Sequence, residues 1–572
     1  MPFRSPLNEY EFILNNIAGL SKVAETEMFE EATPDMVTAI LGECGKLCDT
    51  VLAPLHRVGD EQGAVLENGV VRTTPGYGDA YAQIAEGGWI GIAASPESGG
   101  MGLPMAVTSA VNDMMGAACL SLQLNPLMSQ GQIEALEHHA SDELKAIYLP
   151  KLVSGEWCGT MNLTEPQAGS DVGALSTKAV PNGDGSYAVS GQKIFISWGD
   201  SDFAGNVCHL VLARLPDAPA GTKGISLFMV PKLIPDENGE AGVANSLRVV
   251  SLEHKMGLHG SPTCVMEYDG ATGWLIGEPN KGMAAMFTMM NNARLGVGIQ
   301  GISMAEGALQ KAVEFALERK QGRSPIEGGT GTILDHADVR RMLMTMKADV
   351  FAARSIAMNC AVSIDMGSAT GDADWKARAA LLTPINKAFG TETGIRVSEI
   401  GVQVHGGMGF IEETGAAQYS RDVRVTAIYE GTNGIQAMDL VARKMMDGGD
   451  AAFRLMDDIE SEIEAVRGDL PELAEPVWQA VETLRESTEA LVAQGDMNER
   501  FGGAVPYTMG FARVLGGFYH LMAAKAEGGN GPRSKLARFY VTRMLPEHAA
   551  LLEHAKQGAS DLYALTADEL AG

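Results

Sequence analysis

Basic residues are scarce in this chain. It carries 43 Lys and Arg against 72 Asp and Glu over 572 residues, a net charge of −29. That balance argues against a general binder of nucleic acid or anionic membranes, and an anionic ligand would need a local basic patch. No apolar run reads as long enough to span a bilayer. The opening MPFRSPLNEYEF has no uninterrupted apolar core, so neither a membrane span nor a secretory signal is expected. Cysteine is also sparse, with seven residues (44, 48, 119, 158, 208, 264 and 360) scattered through apolar runs. Cys44 and Cys48 share a helical face, but no histidine stands at ligand spacing. No metal site is expected, and reduced core thiols in a cytoplasm are the better reading. Internal repeats and low-complexity tracts are absent. What is present is a globular composition, 45% hydrophobic and 20% charged, on a chain too long for one core.

The hydrophobic period changes twice along the chain, from helical to strand and back, and breaks divide it into five segments. Residues 1–32 read as a helical arm (Phe12, Ile13, Leu14, Ile17, Leu20), and 33–157 as a helical domain (Met36, Ile40, Cys44, Leu47, Val51). The stretch Pro96–Pro104 lacks the lysine and preceding strand of a phosphate loop and reads as a bend. From 158 to 275, short strands alternate with Gly/Asn/Asp/Pro turns, the pattern of a small antiparallel barrel or sandwich. Helical spacing returns over 276–448, where Ala305, Leu309, Val313 and Leu317 recur every four residues as on one face of a bundle helix. Beyond Asp447-Gly448-Gly449-Asp450 lies a helical extension, 449–572. Its residues 457–489 hold eleven acidic and two basic side chains and read as a solvated face.

Three stretches carry chemistry. Tyr429-Glu430-Gly431-Thr432-Asn433-Gly434 follows what reads as an extended, β-branched run (Val423, Val425, Thr426, Ile428), and precedes an amphipathic helix that Thr432 is placed to cap. An apolar pocket around Glu430 would raise its pKa and make it a general base. The competing reading is a capping carboxylate. Met161-Asn162-Leu163-Thr164-Glu165-Pro166-Gln167-Ala168-Gly169-Ser170-Asp171 offers backbone amides, two hydroxyls and a close glycine approach, suited to the polar edge of a flat heterocycle and to a phosphate. In Lys193-Ile194-Phe195-Ile196-Ser197-Trp198-Gly199 an aromatic and a hydroxyl share one strand face, one to stack on a ring and the other to donate to it.

In their order along the chain, with the Glu430 stretch last, and over residues 35–446, these motifs resemble the acyl-CoA dehydrogenase family of flavoenzymes. The resemblance implies an α+β chain: an N-terminal helical domain, a middle antiparallel β-barrel and a C-terminal four-helix bundle, with FAD between them. It implies that Met161, Leu163, Thr164, Gly169 and Ser170 line the flavin and reach its diphosphate. Phe195, Ile196 and Ser197 are expected at the ring, with Thr432 and Gly434 also on the cofactor. Gln403, Gly406, Gly407 and Arg319 are expected to meet the FAD of a neighbouring subunit, which implies a homodimer. Arg294 matches the CoA-side arginine. Ser170, Asn291, Tyr429 and Gly431 join it at the substrate, and Glu430 matches the catalytic base.

The implied reaction is α,β-dehydrogenation of an acyl-CoA to the trans-2-enoyl-CoA. Glu430 takes the α-proton, a hydride passes to flavin N5, and an electron-transfer flavoprotein then accepts the electrons. An oxidase using O2 directly, or a non-catalytic nucleic-acid-binding flavoprotein of the same fold, are the alternatives. The arm and the extension resemble an extended bacterial branch that acts on 3-methylthiopropionyl-CoA. Four positions depart from the family pattern: no aromatic follows the Arg319 segment, the loop Ser324–Thr332 is long, Asn291 replaces a common Asp, and Arg443 lies one residue beyond the usual spacing from Glu430.

Overall fold

The computed structural model describes residues 3–572, apart from the side chain of Asn291. Helices dominate the chain up to Val153, interrupted by the small antiparallel pair Val65–Glu67 and Val70–Arg72; strands run from Trp157 to Ile276, and helices resume at Gly282. Local signals set many of the boundaries. Thr33 Oγ1 accepts the Met36 N–H at the head of the Pro34–Leu47 helix, with Pro34 at its first position. Asp372 caps Ala373–His405, directly after Gly371 turns the chain at φ 72°.

Seven strands form the middle sheet, six of them in the order Leu247–Leu252, Thr263–Ile276, Tyr187–Ser197, Lys178–Pro181, Asn206–Arg214, Trp157–Asn162. Ile225–Pro231 pairs with both Thr263–Ile276 and Asn206–Arg214, so the ladder of pairings returns on itself. The sheet is mixed rather than antiparallel throughout. Trp157–Asn162 lies parallel to Asn206–Arg214, as its connection through 163–205 crosses over instead of turning tightly back. Ile225–Pro231 is buried at every residue, because the helix beginning at Gly282 starts against the Ser226 backbone.

The helices Gly282–Glu318, Ala337–Thr370 and Ala373–His405 pack together with Met105–His139. Met105–His139 is long and apolar enough, by length and composition, to cross a membrane, which the sequence reading had not anticipated. However, 94% of its most apolar window is buried inside the protein. It is broken at Cys119 (φ −159°, ψ 86°), and just beyond the break the Ser121 carbonyl accepts from Trp198 Nε1 at 3.1 Å. Gly282–Glu318 and Ala373–His405 cross through glycines: a Cβ at Gly298, Gly301, Gly390 or Gly394 would meet the facing helix. This contact brings Arg294 on one helix close to Lys387 on the other. Leu317, expected on the buried face, is 44% exposed while Ala316 beside it is buried, because steps of four residues drift by about 40° each around a helix of 3.6 residues per turn.

The run before Tyr429 is not extended. It is the helix Ala416–Val423 followed by a 3-10 turn, Arg424–Ala427, in which the Thr426 hydroxyl donates to the Val423 carbonyl (2.7 Å). Its β-branched residues bury Val423 and Thr426 at helical spacing and leave Ile428 at the surface.

The extension packs onto the bundle through Arg513, which is buried and donates to Asp349 Oδ1 (2.8 Å) and pairs with Glu547 (2.7 Å). The acidic stretch 457–489 is laced rather than simply solvated: Arg485 reaches Asp457 and Glu460, Arg467 reaches Glu464 and Glu475, and Lys525 reaches Glu462. Arg533 of the extension holds the N-terminal arm, pairing with Glu9 (2.7 Å) and covering the Phe12 ring at 3.6 Å.

Candidate active site

The structure sorts the singled-out residues into three groups. The first surrounds Glu430, which sits in left-handed backbone (φ 55°) followed by Gly431 at φ 83°. A non-glycine residue held there stores on the order of 1–3 kcal/mol of strain, which its surroundings must impose. Gln436, fully buried, donates its Nε2 to the Glu430 carbonyl at 3.3 Å and to that of Gly431 at 3.5 Å, closing the turn. Tyr429 donates its hydroxyl to Gln300 Oε1.

Capping of the following helix, Asn433–Val441, falls to Thr432, whose Oγ1 accepts the Ile435 N–H at 3.2 Å. Glu430 is therefore free of the capping role. Its carboxyl is pushed up to about 7 by burial, against the pull of Arg294 and Lys387, which both lower it. Ile428 does not wall this pocket, being 53% exposed. Arg294 is 7% exposed with its Nε unpartnered, so a buried guanidinium still has donor capacity. Arg443 turns away to pair with Asp439. The side chain of Asn291 lies outside the described residues.

The second group is the 161–171 loop with the strand that braces it. Met161, Leu163 and Thr164 are half-buried, and Gly169 and Ser170 are exposed. The loop is anchored from beneath. Fully buried Lys193 donates to Glu165 Oε1 (2.8 Å) and to the Leu163 carbonyl (3.0 Å), and the Ile194 N–H donates to the Thr164 carbonyl (2.9 Å). Glu165 also accepts from Thr177 N–H and hydroxyl (3.0 and 2.6 Å) and from Ser176 N–H and hydroxyl (2.7 and 2.8 Å). Burial opposes its ionisation, but Lys193 and these donors outweigh burial and hold its carboxyl down at about 2. Its contribution to stability is thus present above the ordinary carboxylate range and is lost as the pH falls towards 2.

Above the loop, Phe195 (φ 61°) and Trp198 (φ 55°) are both in left-handed backbone, and the pairing with Thr263–Ile276 slips a register between them and Lys193. The result is an aromatic ring 60% exposed at Phe195, beside half-buried Ser197. The Ile196 side chain instead points into the sheet core at 2% exposure, so only its backbone could face a ligand.

The third group lies at the far end of the Ala373–His405 helix. Arg319, Gly406 and Gly407 line one cavity of about 550 Å3 together with Phe315, His336 and His405, and exposed Gln403 stands on the same helix end. From Lys387 to Gln403 the helix rises about 24 Å, so this cavity is well separated from Glu430 within one chain.

Lys193 and Glu165 stand inside the motifs, and Gln436 at the end of the Glu430 stretch, without a role that the sequence suggests, while Lys387 and Gln300 lie outside all of them. The available signal for Lys387 is a lone charge in an otherwise uncharged, largely apolar stretch, Leu381–Phe389.

Comparison with known proteins gives a consistent picture. Residues 37–156 match the family described as "Acyl-CoA dehydrogenase, N-terminal domain", 160–271 the middle domain and 280–446 the C-terminal domain. Residues 455–566 match "Acetyl-CoA dehydrogenase C-terminal like". A 3-methylmercaptopropionyl-CoA dehydrogenase of Ruegeria pomeroyi is 43% identical over 546 residues, covering 93% of each chain. A butyryl-CoA dehydrogenase of Syntrophomonas wolfei is 34% identical, over 77% of this chain and 75% of that one. Among solved structures, Caenorhabditis elegans ACDH-11 superposes with a TM-score of 0.78 at 20% identity, covering 94% of this chain and 91% of its own, and shares the fold.

Proposed function

The chain belongs to the acyl-CoA dehydrogenase family of oxidoreductases, and on that premise we propose that it uses FAD to convert an acyl-CoA to the trans-2-enoyl-CoA with Glu430 as base. The observation that carries this reading is the Glu430 carboxyl in its strained turn, pushed up to about 7 by burial against the pull of Arg294 and Lys387. Such a base is ionised at working pH yet basic enough to take a proton from carbon.

The residues present fit the cofactor. An exposed aromatic at Phe195, the hydroxyl of Ser197 and the braced amides and hydroxyls of 163–170 offer a ring face, a donor and a phosphate seat. FAD bound there supplies the acceptor for the substrate's β-hydride.

The rest of the reading concerns the chain's own groups. Glu430 removes the α-proton, and its backbone N–H faces the thioester oxygen, where negative charge develops. Arg294, buried with an unpartnered Nε, takes an anionic part of CoA, and Ser170, Tyr429 and Gly431 complete the substrate seat. Thr432 and Gly434 border the cofactor. Arg319, Gln403, Gly406 and Gly407 serve the FAD of a second protomer, since their cavity lies too far along the bundle to serve the first. Met408, Phe410 and Ile411, exposed beside that cavity, suit burial in a homodimer.

The domains divide at 32, 157, 275 and 448. An electron-transfer flavoprotein is the electron acceptor, and the seven free, buried cysteines fit a cytoplasmic setting. The substrate we favour is 3-methylthiopropionyl-CoA, on the identity to the Ruegeria pomeroyi protein. An anaerobic series of acyl-CoAs mixed with the yellow protein tests this. The flavin should bleach fastest with 3-methylthiopropionyl-CoA or a straight-chain thioester of similar length. A clear preference for long-chain thioesters would remove the substrate, and rapid reoxidation of the bleached protein in air would favour an oxidase.

A further inference from the structure

Lys387 is an expensive residue to place where it is. Its side chain is fully buried in the Ala373–His405 helix, and among the described residues no carboxylate lies within ion-pairing distance. A buried ammonium without such a partner costs stability unless something nearby uses the charge. Its Nζ donates to Asn433 Oδ1 at 2.9 Å. Asn433 is fixed in turn, donating its Nδ2 to Thr391 Oγ1 (3.0 Å) and to Glu392 Oε1 (2.8 Å). Asn433 opens the helix immediately after the Glu430 turn, three residues on from Glu430. The ammonium is thus moored to the segment that carries the base.

We propose that Lys387 is a positioning residue that acts through its charge: moored by Asn433, it keeps Glu430 ionised when substrate closes over the site. This rests on the reading of Glu430 as the base. The charged groups that face Glu430 are few. Arg294 from the Gly282–Glu318 helix and Lys387 from Ala373–His405 act on it directly, while Glu392 acts on Lys387, and Asp439 and Arg443, at the helix after Glu430 and its end, act on Arg294. Asp439 and Arg443 pair with each other, Glu392 is held by Asn433, and Arg294 is taken up by CoA in this reading. Among the described residues, Lys387 is then the one cation acting on Glu430 whose charge is left for the carboxylate. Its own shift agrees: burial lowers it to about 8, against the pull of Glu430.

The test reads Glu430 directly, so that it does not depend on turnover. Infrared difference spectra between wild type and Glu430→Gln, recorded across pH on the FAD-loaded protein, follow the Glu430 carboxyl. In a Lys387→Gln background the midpoint should rise by about one pH unit or more, the effect of losing an opposite charge at close range. The flavin-reduction rate should then fall by about tenfold or more below the new midpoint and return towards wild type above it. Asn433→Ala should move the midpoint in the same direction, by less, and it covers the case in which Lys387→Gln does not fold. An unchanged midpoint, or a rate lowered equally at all pH values, would overturn the proposal. If no acyl-CoA reduces the flavin of the wild-type protein, the functional reading fails, while a shifted midpoint would still stand for Lys387.

Discussion

Glu430→Gln is expected to give a folded, yellow, acyl-CoA-binding protein whose flavin reduction is slower by about 10²–10⁴, the range for a lost general base. Glutamine keeps the size and can occupy the same left-handed turn, which Gln436 holds through backbone carbonyls rather than through the carboxylate. The helix cap is untouched, because it belongs to Thr432. Glu430→Asp keeps a base but withdraws it by roughly 1.5 Å, a displacement that alone costs on the order of a hundredfold.

The pH dependence has a definite sign. Only the carboxylate accepts the proton, so reduction by wild type should rise with pH through about 7. A carboxyl raised in the folded state stabilises the fold when protonated and costs stability as the pH rises through that value. Glu430→Gln should therefore be no less stable than wild type above pH 7. A capping carboxylate predicts the reverse on both counts, with a small loss of stability and near-normal reduction.

The largest expected effect on stability comes from Arg354→Met. Arg354 is 1% exposed and gathers partners from distant parts of the chain. Its Nε donates to Asp113 Oδ2 (2.8 Å), its Nη1 donates to Glu306 Oε2 (3.0 Å), and the Tyr10 ring of the N-terminal arm lies 4.9 Å from its Cζ. Removing the cation leaves two buried carboxylates without it, and breaking such a cluster from one side costs about 3–5 kcal/mol. Denaturant unfolding should show a lower midpoint, with release of the arm as an early step. Adding Asp113→Asn and Glu306→Gln to Arg354→Met should recover part of the loss, because the orphaned charges go with them. Arg354→Met within about 1 kcal/mol of wild type would mean that the cluster is weakly coupled to folding.

Much of this architecture was legible because its signals are local. The alternation in Tyr187–Ser197, the turns around it and the four-residue spacing in Gly282–Glu318 each mark their element directly. The motifs that carry Glu430, Ser170 and Phe195 were equally visible, as short strings. What the sequence hid depends on distant residues meeting. Arg354 and Asp113 are 241 residues apart, and nothing near either one announces the pair. The left-handed backbone at Phe195, Trp198 and Glu430 is imposed by surroundings on residues that do not ask for it. The misread run before Tyr429 has the same origin. Val423, Val425 and Thr426 favour strands by type, but packing of the Ala416–Val423 helix decides otherwise. Lys387 was overlooked because a lysine in a helix is ordinary until burial shows that its charge has nowhere else to go.

The most direct test of the central claim is anaerobic titration of the purified, FAD-loaded protein with acyl-CoA, with flavin absorbance and thioester products followed together. This account predicts that the flavin bleaches and that one trans-2-enoyl-CoA appears for each flavin reduced. Flavin that stays oxidised with every acyl-CoA offered, or bleaching without enoyl-CoA, would contradict it.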